Sequence, residues 1–118
     1  RRLVVELAGG WLVPLVGSVT QADWISRARG SGIDLDVLLV ARSSLGTLNH
    51  TLLTLEALRS RGVTPRALVL VGEPHAANAA TLRGLVPRLF ELPRLEPLGR
   101  EALESWLSLH PLLEALHD

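Results

Sequence analysis

The stretch Asp36-Val37-Leu38-Leu39-Val40-Ala41, then Arg42-Ser43-Ser44-Leu45-Gly46, then Thr47-Leu48-Asn49-His50-Thr51-Leu52, decides the fold. Its first part is apolar without polar alternation, the pattern of a central parallel strand covered on both faces. Its last part opens a helix predicted over 47–61 and ended by Gly62. Leu48, Leu52, Leu55 and Leu58 recur there at helical spacing and are expected in the core. A strand, a short loop and a helix make one half of a parallel crossover unit.

The pattern repeats on both sides. Downstream, Ala67 to Val71 reads as a strand, Ala77 to Leu85 as a short helix, and the region around Leu89-Phe90 as a short strand. Arg100 to Leu109 reads as a terminal helix, with Pro111 a break or a restart. Upstream, Thr20-Gln21-Ala22-Asp23 has the spacing of a capping box. The helix it opens is predicted to stop at Gly30 to Gly32. Trp11 to Ser18, with Pro14 and Gly17, is expected to be irregular. Leu3-Val4-Val5-Glu6 reads as a strand running into Leu7-Ala8-Gly9-Gly10. This alternation predicts an α/β fold of three layers on a mostly parallel sheet. Ligands in such sheets bind beyond the C-terminal strand ends. The loops after Glu6, Ala41 and Val71 are therefore expected side by side along one edge.

Composition narrows the function classes. The 118 residues carry 12 basic and 12 acidic side chains, so net charge is zero and nucleic acid is not an expected partner. Every basic residue is Arg, which removes lysine phosphate ligands and Schiff bases from this stretch. The absence of Cys removes thiol chemistry. One Phe, three Trp and no Tyr give no base-stacking platform. Apolar runs of about five residues fall far short of the roughly 20 that cross a bilayer, so no membrane span is expected. No Met occurs and the first residues already read as a strand, so the chain is expected to begin inside a domain. Mean hydropathy of +0.29 then points either to a sheet buried on both faces or to apolar surface that meets further chain.

Two segments could carry chemistry. Glu6 closes an apolar strand where a magnesium ion or a phosphate would be held, and Gly9 and Gly10 would admit close backbone approach to an anion. Equally, Glu6 can be a solvated strand-end residue. Ser43 to Thr51 joins the best strand to the best helix, and free N–H groups at that helix start suit a carboxylate or a phosphate. Capping by Thr47 or Ser44 is compatible with the same sequence. His50, His75, His110 and His117 lack the spacing of a helical zinc site. His110 and His117 are expected to be exposed, and His50 to be structural. No Gly-x-Ser-x-Gly elbow occurs, which argues against a serine hydrolase.

Ala41-Arg42-Ser43-Ser44-Leu45-Gly46-Thr47-Leu48-Asn49-His50-Thr51-Leu52-Leu53-Thr54 resembles the Leu-Gly-Thr-Ile-Asn-His-Thr-Leu-Leu-Thr signature of dethiobiotin synthetases. Val5-Glu6-Leu7-Ala8-Gly9-Gly10-Trp11 resembles that family's Glu-Gly-Ala-Gly-Gly segment, and Ala22-Asp23-Trp24 falls between them in the family's order. The resemblance covers nearly the whole chain, and only the C-terminal half of the family's domain. It implies a P-loop NTPase type of sheet, incomplete here because the N-terminal P-loop part is absent. Residues 1–118 would form the C-terminal portion of a single α/β domain.

The family's activity would be ATP- and Mg2+-dependent ring closure of 7,8-diaminononanoate with CO2, in a cytoplasmic homodimer. One amine captures CO2 as a carbamate, ATP phosphorylates it, and the second amine displaces phosphate. The resemblance implies that Glu6 binds Mg2+ and, with Leu7, Ala8 and Gly9, lines the ATP phosphates. Val71, Gly72, Leu92, Pro93 and Arg94 would hold the adenine ring. Gly46, Thr47, Leu48 and Asn49 would hold the substrate carboxylate, across a dimer interface. Leu7 stands where the family has Gly. Val71 stands where many members have an Asn that reads the adenine edge. The family's Gly-x-x-x-x-x-Gly-Lys-Thr loop, activating Lys and Mg2+-binding Asp do not occur in these residues, so catalysis by this chain alone is not expected. The alternatives are a non-catalytic anion- or partner-binding module on the same scaffold, and a cobyrinate amidating enzyme or partition ATPase of the same superfamily.

Overall fold

A computed structural model of the chain describes residues 2–117. The framework is a three-stranded parallel sheet of β3 (Leu38–Arg42), β4 (Ala67–Val71) and β5 (Leu89–Leu92), with β4 in the middle. It is preceded by a two-stranded antiparallel hairpin, β1 (Pro14–Val16) and β2 (Val19–Thr20). The helices are α1 (Gln21–Gly30), α2 (Thr47–Arg59), α3 (Ala76–Arg83), α4 (Arg100–Leu109) and α5 (Leu112–Ala115).

The layering follows from β4. Its residues point alternately to the two faces of the sheet. Leu68 and Leu70 are buried with Ile25 of α1, Leu55 and Leu58 of α2 and Leu82 of α3. Ala67 and Val69 are buried on the other face with Phe90, Trp106 of α4 and Ala115 of α5. Helices thus cover both faces, giving the α/β sandwich that the element alternation predicts.

Four expectations need correction. Leu3 to Glu6 forms no strand: Leu3 is 86% exposed and Val4 94%. A strand requires a neighbour for its N–H and C=O groups, and none of the described residues supplies one. Asp36 to Ala41 does not form a central strand. It becomes the edge strand β3, with Leu38, Val40 and Arg42 exposed, and β4 takes the centre because it is paired on both sides. The segment 11–18 is not wholly irregular, because Gly17 at φ +56° lets β1 turn back into β2. The buried face of α2 runs through Thr47, Thr51, Leu55 and Leu58, so Leu52 is 39% exposed rather than in the core.

Candidate functional site

The C-terminal ends of β3, β4 and β5 lie together, and two open clefts of about 460 and 510 Å3 form there. The first is lined by Arg42, Ser43, Ser44 and Val71 to His75. The second is lined by Val71, Leu92 to Glu96, and Leu98. Val71 belongs to both. The loops after β3 and β4 therefore share an edge as expected. The third partner is the loop after β5, not the one after Glu6.

The two clefts differ in chemistry. Val71, Leu92, Pro93, Leu95 and Leu98 give the second a largely apolar wall. Its charged pair satisfies itself, with Arg94 Nε 2.6 Å from Glu96 Oε1. Such a wall fits a flat ring and offers no side-chain amide to read one. The first cleft has a mainly apolar surface backed by a tight hydrogen-bonded frame. Ser43 is buried and uses all its polar atoms: its N–H donates to Val71 O, its hydroxyl donates to Glu73 O at 2.6 Å, and its carbonyl accepts from Asn78 Nδ2. His75 caps α3 by accepting from the Asn78 N–H through Nδ1. Gly72, at φ +121°, passes so close that a Cβ would lie 2.9 Å from Ser43 Oγ.

Gly46 is the N-cap of α2 in the left-handed region, φ +92°, and no side chain caps that helix. Capping by Thr47 or Ser44 side chains is thus not what the loop uses. Thr47 is buried with its hydroxyl 3.2 Å from Thr51 Oγ1, while Asn49 and His50 face outward. The Thr47 N–H donates to Ser44 O at 3.2 Å, so the anion-favouring part of this helix start is the first turn at Leu48 and Asn49.

Glu6 to Gly9 sit apart from both clefts, and Glu6 is exposed outside the sheet. The loop they begin is nevertheless fixed. Gln21, the first residue of α1, is fully buried and donates from Nε2 to Ala8 O and to Gly10 O, both at 2.8 Å. Gly9 adopts φ +83° between them. Sequence reasoning names Ser43 only as part of the loop and His75 only as a non-zinc histidine, and passes over Gln21 and Asn78, because each works through a partner more than two residues away. His110 is not exposed as expected: it is half-buried, stacked on Trp106 at 4.5 Å. His117 is exposed and bonds Arg2.

Among the described residues, no three His, Asp or Glu side chains gather as a metal cluster. Glu73 lines the first cleft, Glu96 lines the second, and Glu6 lies apart from both; Mg2+ commonly takes one or two carboxylates together with phosphate oxygens. No helix of the described residues is long and apolar enough to cross a membrane.

Residues 1–102 match the family model described as an AAA domain. The chain belongs to the AAA domain family. This AAA domain chain is 44% identical over 107 residues to an ATP-dependent dethiobiotin synthetase of Rhizorhabdus wittichii, covering 89% of the chain and 49% of that relative. It is 47% identical over 105 residues to the enzyme of the same name from Novosphingobium aromaticivorans, covering 87% and 48%. A biotin biosynthesis bifunctional protein of Bordetella avium is 38% identical over 116 residues, covering 97% of the chain and 24% of that protein. The AAA domain chain thus spans about half the length of the curated synthetases it matches.

Proposed function

We propose that this chain is the C-terminal portion of an ATP-dependent dethiobiotin synthetase, which acts in biotin biosynthesis. The observation that carries the reading is the helix start Gly46 to Asn49, with no side-chain cap, beside two clefts at the C-terminal sheet edge and within a sequence 44% identical to such a synthetase.

In this reading the start of α2 holds the carboxylate of 7,8-diaminononanoate, with backbone N–H groups as donors and Asn49 beside them. The apolar wall of Val71, Leu92 and Pro93 receives the nucleotide base. With the wall offering no amide, the base is held by shape and by backbone groups. Glu6 to Gly9 take the phosphates, and Glu6 would hold Mg2+. The ion, when bound, offsets the negative charge of the phosphates. The protein's task in phosphoryl transfer is to position groups and stabilise charge, and both fit backbone donors and helix ends. Leu45, Leu52 and Leu53 stand exposed around the start of α2, apolar surface that supports the homodimer reading.

The test is Asn49→Ala in the protein at its full natural length. A raised KM for diaminononanoate with little change in KM for ATP supports the assignment. Equal kinetics for both variants would remove Asn49 and the α2 start from the substrate site.

A further inference from the structure

The loop that would carry the nucleotide phosphates is held by one buried amide. Gln21 is fully buried at the first position of α1. Its Nε2 donates to both Ala8 O and Gly10 O at 2.8 Å. Two carbonyls face one nitrogen, so only the NH2 end of the side chain can stand there. Gln21 Oε1 has no partner among the described residues, so the two carbonyls alone set the amide's orientation. The backbone adds two ties: the Gln21 N–H donates to Val13 O, and the Val13 N–H donates to Gly10 O.

The consequence follows from peptide geometry. The Ala8 carbonyl and the Gly9 N–H belong to one planar trans peptide and point in opposite directions. Drawing Ala8 O inward onto Gln21 turns the Gly9 N–H outward. Drawing Gly10 O inward does the same to the Trp11 N–H. Between them Gly9 takes φ +83°, and a Cβ there would lie 3.2 Å from Val13 Cγ2. Gly9 itself is exposed, so its N–H meets whatever lies outside the loop.

We propose that Gln21 is a positioning residue: it holds the Glu6–Gly10 loop so that the Gly9 N–H donates to a nucleotide phosphate. The inference rests on the phosphate reading of residues 6–9 given above. Only a side chain with two donors on one atom satisfies both carbonyls. Leu offers no donor, and an ionised Glu would set its charge against them.

The test compares wild type with Gln21→Leu in the protein at its full natural length. The expected result is a KM for ATP raised about tenfold, with KM for diaminononanoate within about twofold of wild type. Amide exchange at Gly9 rises in the same variant. An unchanged KM for ATP in a folded Q21L protein overturns the proposal, as does an equal rise in both KM values, which would mean general damage. If Q21L does not fold, the wild-type protein decides. Its Gly9 amide and Gln21 side-chain amide resonances shift when ATP and Mg2+ are added, and unmoved resonances at saturation overturn the assignment. A wild-type protein that neither binds nor turns over ATP defeats the functional reading itself, and Gln21's role falls with it. ATP turnover with an indifferent Q21L defeats the Gln21 assignment alone.

Discussion

Thr20 and Asp23 cap α1 reciprocally: Asp23 N–H donates to Thr20 Oγ1 at 3.1 Å, and Thr20 N–H donates to Asp23 Oδ2 at 2.8 Å. Arg61, just beyond α2, adds an ion pair to the same carboxylate at 2.8 Å. The cap therefore also ties α1 to the end of α2. Thr20→Ala is expected to cost about 1 kcal/mol of stability, read as a lower midpoint in urea.

Acid should weaken the same cap. Hydrogen bonds from the Thr20 backbone and hydroxyl, then Arg61, lower the Asp23 pKa from 3.8 to about 2. A carboxylate with a depressed folded-state pKa stabilises the fold fully above its unfolded value and loses that contribution as pH falls through the folded value. The loss should fall between pH 3.8 and about 2. Asp23→Asn should flatten the dependence of stability on pH in that window. An identical acid profile for the two proteins would contradict the cap's role.

Leucines on α2 and α3 separate by burial. Leu82 is fully buried and Leu52 is 39% exposed. Leu82→Ala is expected to cost about 2–5 kcal/mol, and Leu52→Ala about 1 kcal/mol or less. Equal losses would mean that the sequence stripe, rather than the observed face, marks the core.

Much of this was legible in the sequence. The capping box over 20–23, the strand at Ala67 to Val71 and the restart after Pro111 need only local signals, and all are present. The buried face of α2 departs from the leucine stripe because it includes Thr47 and Thr51, which do not look like core residues. They are buried because their hydroxyls meet each other and spare the cost of an unpaired polar group. The fate of Leu3 to Glu6 was beyond local reading, since an apolar run becomes a strand only where a partner edge exists. The same limit hides the bonds of Gln21 and Ser43, whose partners lie outside their own segments.

Gly72 gives a test of the first cleft. Its φ of +121° and the 2.9 Å approach to Ser43 Oγ both exclude a side chain. Gly72→Ala is expected to destabilise by about 1–3 kcal/mol. Ser43→Ala in the same protein should recover only part of that, since it relieves the contact and not the backbone conformation. Full recovery would mean that the contact alone matters.

Exposed apolar surface predicts the behaviour of the 118-residue chain. Leu3, Val4, Val5, Leu38 and Val40 all face outward, and the outer edge of β3 has no strand partner among the described residues. Size exclusion should show concentration-dependent self-association. A sharp monomer peak with a cooperative melt would contradict this.

The proposed function makes this chain one half of a dethiobiotin synthetase. It is tested most directly by diaminononanoate-dependent phosphate release from ATP, with Mg2+ and bicarbonate. The assay compares the chain alone with the chain joined to a Gly-x-x-x-x-x-Gly-Lys-Thr half from a curated relative. The account predicts no release above a protein-free control for the chain alone, and dethiobiotin with stoichiometric phosphate for the joined protein. Turnover by the chain alone, or a folded joined protein that binds ATP yet releases no phosphate with diaminononanoate, would contradict it.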